Sequence, residues 1–147
     1  MVQGLVRLTL LALLLTGCAT RTSEPPPQLR MPPGDPLANS PAMTLVEEAQ
    51  AALRRGEVAT AGERLERALA MVPGSSWLYR LLAEQRLHAG DPSAAEGFAR
   101  RALRHAPAES PHYRAALREL LATTLARQGE RAAAEAARER ARGLRDR

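Results

Sequence analysis

Two stretches of this chain repeat each other. Residues 53–61 read Leu-Arg-Arg-Gly-Glu-Val-Ala-Thr-Ala, and residues 87–95 read Leu-His-Ala-Gly-Asp-Pro-Ser-Ala-Ala. The offset is 34 residues, and Pro73 pairs with Pro107 at the same offset. A third copy, Ala-Arg-Gln-Gly-Glu-Arg-Ala-Ala-Ala, occupies residues 126–134 and lies 39 residues after the second. Self-similarity at a fixed period of this length indicates a repeat architecture built from helical pairs rather than a single bundle.

Glycine and alanine recur where a pair of helices needs them. A glycine follows the first helical stretch of each copy, at Gly56, Gly90 and Gly129. Glycine adopts the left-handed conformation that ends a helix without a side-chain clash. Small side chains recur where the second helix presses on the first, at Ala61, Ala95 and Ala134 and again at Ala68, Ala102 and Ala141. The spacing predicts six helices, at residues 43–55, 58–71, 76–89, 92–106, 111–127 and 130–144.

This pattern resembles the tetratricopeptide repeat (TPR) over residues 42–147. The resemblance implies an all-α fold, a TPR-like α-solenoid of about three helix-turn-helix repeats. The third repeat departs from the family, because Arg138 stands where a large apolar residue is expected. A terminal repeat needs a polar outer face, so we interpret the last helix as a solvating cap. The alternative is that the last helical pair docks a partner.

The N-terminus carries an export signal. Residues 15–18 read Leu-Thr-Gly-Cys and follow Arg7 and a mostly apolar run at residues 8–15. The run is too short to cross a bilayer, which takes about 20 apolar residues. The tetrad resembles the lipobox of bacterial lipoproteins, which implies cleavage after residue 17 and acylation of Cys18, and Ala19 implies export to the outer membrane. The alternative is an ordinary secretory signal with an unmodified cysteine.

Proline dominates the segment that follows. Seven prolines fall between Ala19 and Pro41, and proline removes the amide donors that helices and sheets need. We therefore predict a disordered tether that reaches about 70 Å at about 3.1 Å per residue. The expected organisation is a signal peptide at 1–17, a lipidated cysteine and tether at 18–41 and a repeat domain at 42–147. A passive spacer of no required length is the alternative.

The charge of the chain does not indicate nucleic-acid binding. It carries 21 basic and 16 acidic residues, a net charge of +5. Every basic residue is arginine, as the codons of a GC-rich genome produce, and the two signs are interspersed as on solvated helices. Cys18 is the single cysteine, so the exported domain has no disulfide and depends on its core.

The sequence carries no recognisable active-site motif. His88, His105 and His112 lack the spacing of metal ligands, and there is no glycine-rich phosphate loop or nucleophile elbow. We therefore predict a protein that is not an enzyme and that has no cofactor, no metal and no small-molecule substrate.

The TPR resemblance implies a groove on the concave side, lined by the first helix of each pair. Carrying over the family's groove positions gives three rows, namely Val46, Arg80 and Glu119, then Gln50, Glu84 and Thr123, and finally Arg54, His88 and Arg127. The last row is a candidate clamp for an acidic or C-terminal segment of a partner. A solvated face is the alternative. Trp77 lies at the groove edge, either as a binding anchor or packed, and Tyr79 is assigned to the core.

An anchor, a tether and a small repeat domain together predict a periplasmic adaptor. The combination resembles the TPR lipoproteins that activate class A penicillin-binding proteins, which are bifunctional peptidoglycan synthases, from the outer membrane. This implies a periplasmic protein partner and membrane contact through the N-terminal lipid. One alternative is a pilotin that escorts a secretin for pilus assembly, although pilotins with this repeat usually carry more copies. Another is a scaffold for envelope hydrolases.

Overall fold

A computed structural model describes residues 29–146, and over that range the chain is helical. Its α-helices are α1 Met43–Arg54, α2 Val58–Met71, α3 Ser76–His88, α4 Pro92–His105, α5 Pro111–Arg127 and α6 Arg131–Arg145. The six predicted helices are confirmed to within one residue at each end. None of them is long and apolar enough to span a membrane. The signal peptide, Cys18 and tether residues 19–28 lie outside the described residues.

The helices form three pairs stacked in sequence order. α1 packs on α2, α3 on α4 and α5 on α6, and each pair contacts the next through α2 with α3 and α4 with α5. α3 also touches α5, so the first helices of the second and third pairs share one side of the stack. Three hydrophobic clusters between the pairs form a continuous core. This arrangement is the α-solenoid expected from the period.

The recurring glycines and alanines have the predicted roles. Gly56, Gly90 and Gly129 have φ values of 76°, 78° and 85°, in the left-handed region that favours glycine. After the first of them, Glu57 donates its amide to the carbonyl of Ala52 at 2.9 Å, which ends α1 in a Schellman turn. The six recurring alanines are at most 1 % exposed, so close helix approach depends on their small side chains.

The last helix has the composition of a cap. Among the described residues of α6, only Ala134, Ala137 and Ala141 are buried. The outer surface carries ion pairs from Glu135 to Arg138 at 3.2 Å and to Arg142 at 3.0 Å. A charged outer face with only alanines against the stack supports the interpretation of α6 as a solvating end.

The end of the predicted tether is folded, which differs from the expected disorder. Pro36–Asn39 forms one turn of 3-10 helix, Asp35 is 5 % exposed and Leu37 is fully buried. Farther towards the N-terminus, Met31 packs against the first hydrophobic cluster and Leu29 against the third. We term residues 29–41 the strap. The folded domain therefore starts before residue 42, because a capping aspartate and a buried leucine follow the first prolines.

Candidate functional site

Asp35 joins the strap to the start of α3. The first turn of a helix has amides without helical partners, and the N-cap Ser75 satisfies only that of Leu78, at 3.0 Å. The Asp35 carboxylate accepts the amide of Trp77 through Oδ2 at 3.0 Å and that of Leu37 through Oδ1 at 3.1 Å. One carboxylate thus caps two helices. The strap is therefore fixed against the first turn of α3, where the side chain of Trp77 begins the site.

Trp77 is partly exposed and has an aromatic ring and a guanidinium packed against it. Its ring stacks on Tyr113 with centroids 6.0 Å apart, and the Arg80 guanidinium lies 4.5 Å from the indole centroid. Ser76 donates to the carbonyl of Ala102 at 2.9 Å, so Tyr113 must donate its hydroxyl to Ser76 Oγ at 3.0 Å. Burial raises the pKa of Tyr113 to about 12. The phenol is therefore a neutral, fixed platform under the tryptophan.

An ion pair continues the site along α3. Arg80 Nη2 lies 2.6 Å from Glu84 Oε1, and both side chains are partly buried. Burial raises the pKa of Glu84, while the charges of Arg80 and His88 and the hydrogen bond from Arg80 act in the opposite direction. One turn farther, Glu84 and His88 join Leu87 and Arg127 around a hollow of about 320 Å³. α3 and α5 thus present a ring, an ion pair and a polar hollow in sequence.

The predicted groove residues are not all available to a partner. Val46 is 2 % exposed and lies in the same hydrophobic cluster as Leu37 of the strap. Its assignment to the groove surface is wrong, because an apolar side chain at this position packs into the core. Arg54 is exposed but does not line the hollow, so His88 and Arg127 are the two members of the predicted clamp that meet there.

The other predicted positions lie on the surface of α1 and α5. Gln50 and Thr123 are exposed. Glu119 accepts from Arg145 Nη2 at 3.1 Å, and Thr123 donates its hydroxyl to the Glu119 carbonyl at 3.0 Å. Tyr79 is half-buried and stacks on His105 with centroids 5.1 Å apart. The core assignment of Tyr79 is thus correct for one face of its ring.

Sequence reasoning missed two residues that organise the site, Asp35 and Tyr113. The first left a signal, because Asp35-Pro36 repeats the cap and first-turn proline of Asp91-Pro92 at the start of α4. Tyr113 left none, since its hydroxyl partner lies 37 residues away in the chain. Within residues 29–146 no group of three or more His, Cys, Asp or Glu residues could hold a metal ion.

Known proteins that are similar to this chain have the same helical-repeat fold. A family model for the tetratricopeptide repeat matches residues 52–120. The globular C-terminal domain of LpoP from P. aeruginosa is 35% identical, with a TM-score of 0.67, and the match covers 97% of that chain and 71% of this one. The chain belongs to the tetratricopeptide-repeat family. Its TPR domain is therefore a relative of the LpoP domain.

A more distant TPR domain shares the fold alone. The Sgt2 TPR domain from Aspergillus fumigatus is 18% identical with a TM-score of 0.64, over 76% of this chain and 72% of that one. No curated protein matches the sequence. In the TPR family the first helices of the pairs line the concave side, and the corresponding helices of this chain are α1, α3 and α5. We term the surface from Trp77 to Arg127 on α3 and α5 the concave site.

Proposed function

We propose that this chain is an outer-membrane-anchored periplasmic adaptor that binds and activates a class A penicillin-binding protein. The observation that supports it is the 35% identity with the globular C-terminal domain of LpoP, over 97% of that domain. The match covers 71% of this chain, and the lipobox-like tetrad ending in Cys18 supplies the proposed lipid anchor. Three repeats also fit this class better than a pilotin.

The concave site offers a partner segment three kinds of contact. The exposed part of the Trp77 ring can pack against an apolar side chain, and Tyr113 behind it keeps the indole in place. Arg80 is engaged by Glu84 at 2.6 Å, so the guanidinium nearest the hollow that lies outside this pair belongs to Arg127. A partner carboxylate can pair with Arg127 through two parallel hydrogen bonds. The chemistry therefore favours a segment that carries an apolar residue and an acidic residue.

Photo-crosslinking in living cells tests which surface is used and by what. A photoreactive residue replaces Glu84 or His88 in the full-length chain, and Arg101, which is exposed on α4, is the control position. The expected result is an adduct with a class A synthase from the two concave positions alone. A secretin in the adduct would identify a pilotin, and a hydrolase would identify an envelope scaffold. Adducts from Arg101 alone would show that the concave site is not the binding surface.

A reconstituted reaction tests activation. The chain from residue 19 onward is added to a purified class A penicillin-binding protein, and glycan polymerisation is followed with labelled lipid-linked precursor. We expect a faster reaction that saturates with added chain. Glu84→Arg places a second positive charge beside Arg80 and should reduce the acceleration of polymerisation, while α3 stays helical. An unchanged rate at saturating concentration would contradict the proposed activity.

A further inference from the structure

A second candidate site lies beside the concave site, between the strap and α5. It is a cavity of about 810 Å³. Strap residues 29–33 form one wall, residues 109–113 and Ala116 form the other, and Arg145 at the end of α6 closes one side. The volume lies within the range of ligand-binding clefts, about 300–1,000 Å³. The strap thus creates a pocket that the three helical pairs alone do not have.

The lining combines an apolar interior with charged groups. Apolar surface comes from Leu29, Met31, Pro33, Pro111, Tyr113 and Ala116. The hydroxyl of Tyr113 is already bonded to Ser76, so its ring offers only apolar surface to the cavity. The charged lining residues are Arg30, Arg145 and Glu109, and Arg145 already pairs with Glu119, so Arg30 is the lining cation outside an ion pair. Such a pocket fits a large apolar side chain that has a carboxylate next to it.

The chain itself does not supply a segment with that chemistry. Residues 19–28 read Ala-Thr-Arg-Thr-Ser-Glu-Pro-Pro-Pro-Gln and contain no aromatic residue, leucine, valine or methionine. A second copy would have to insert Met71, the large hydrophobic side chain that is exposed within residues 29–146, at 53 %. Its neighbours in sequence are Ala70 and Val72, so no carboxylate accompanies it. The complementary segment therefore belongs to another protein.

We propose that the strap cavity receives a large apolar side chain of the periplasmic protein partner, with an adjacent carboxylate paired to Arg30. The identity of the partner rests on the proposed function, whereas the chemistry of the pocket does not. The cavity and the concave site meet at Tyr113, which lines the one and stacks on Trp77 in the other. A single segment that runs along α5 therefore contacts both.

The first arm of the test needs no partner. The probe is 8-anilinonaphthalene-1-sulfonate, whose aromatic rings and sulfonate stand in for the apolar side chain and its carboxylate. We expect saturable fluorescence enhancement with the chain from residue 19 onward. Ala116→Leu fills the cavity and Arg30→Glu reverses a charge at its edge, so each should weaken binding about tenfold or more. Ala59→Leu, on the exposed surface of α2 and outside both sites, should leave binding unchanged.

The second arm uses the periplasmic region of a class A penicillin-binding protein. Ala116→Leu and Arg30→Glu should each weaken its binding about tenfold or more, and Ala59→Leu on α2 should not. Wild-type affinity for the synthase in both cavity variants would overturn the proposal. Dye binding that is unchanged by Ala116→Leu would also overturn it. If the wild-type chain does not bind the synthase, the proposed function fails and the dye arm alone decides the cavity. A melting curve for each variant checks its folding. If Ala116→Leu does not fold, the result for Arg30→Glu decides the proposal, because Arg30 is exposed and its replacement does not disturb the core.

Discussion

Replacement of Asp35 by alanine should destabilise the whole repeat domain, although this residue precedes the first helical pair. The carboxylate is 5 % exposed and accepts two amides, that of Trp77 at 3.0 Å and that of Leu37 at 3.1 Å. Loss of one capping acceptor costs about 1 kcal/mol, with a range of about 0.5–2. Two capping bonds to buried amides should therefore cost about 2–3 kcal/mol of the free energy of unfolding.

A matched variant separates the strap from ordinary capping. Asp91 caps α4 through a single bond to the amide of Ala94 at 2.9 Å, in an exposed position. Asp91→Ala should therefore cost about 1 kcal/mol. Asp35→Asn keeps one carboxamide oxygen as an acceptor and should fall between wild type and Asp35→Ala.

Urea denaturation followed by far-ultraviolet circular dichroism measures these differences. For a domain of this size the expected loss in Asp35→Ala corresponds to a fall in Tm of roughly 10 °C. The reasoning is refuted if Asp35→Ala loses no more stability than Asp91→Ala, because the strap would then not be fixed to α3. If Asp35→Ala melts like the wild type but no longer binds the dye, the strap contributes to the cavity and not to stability.

Four further changes, three substitutions and one rise in pH, test the packing of the domain. Gly62→Ala places a Cβ 2.8 Å from the buried side-chain amide nitrogen of Gln85 and should lower the free energy of unfolding by about 1–2 kcal/mol in thermal melts. The Cβ of Gly97→Ala meets nothing within 4 Å, so this substitution should raise the free energy of unfolding by about 0.5–1 kcal/mol. Ser76→Ala removes the acceptor of the Tyr113 hydroxyl and should cost about 1–3 kcal/mol in urea denaturation. The folded-state pKa of Tyr113 is raised from 10.0 to about 12, so its contribution to stability is complete below pH 10 and is lost as the pH rises towards 12. Urea denaturation at several pH values between 10 and 12 measures this loss. Unchanged stability across that range would contradict the burial of the phenol.

The helices were predictable because their signals are local. Three of the six helices end at a glycine, two begin at a proline, and the spacing of small residues within each repeat indicates the others, so each predicted boundary lies within one residue of the structure. Side-chain exposure was less predictable, since it depends on what lies across the helix. Val46 shows this, because family position alone placed it in the groove while the cluster around Leu37 buries it.

The strap was missed because composition outweighed a short motif. Seven prolines between residues 19 and 41 predict disorder, yet Asp35-Pro36 followed by Leu37 is the same start signal that opens α4 at Asp91-Pro92. The link from Ser76 to Tyr113 could not be predicted at all, since it joins side chains 37 residues apart across two helical pairs. Local signals therefore yield the architecture, and non-local contacts decide the binding surface.

The strap also limits how far the domain can travel. If the whole proline-rich segment were free, the repeat domain could move about 70 Å from its lipid anchor. With the strap held to α3, only ten residues lie between Cys18 and Leu29, and the Cα atoms of these two residues cannot be more than about 40 Å apart. If Cys18 carries the proposed lipid, the repeat domain therefore stays close to the membrane that holds it. Under the proposed function, a synthase partner would then have to extend its own docking segment to reach the domain.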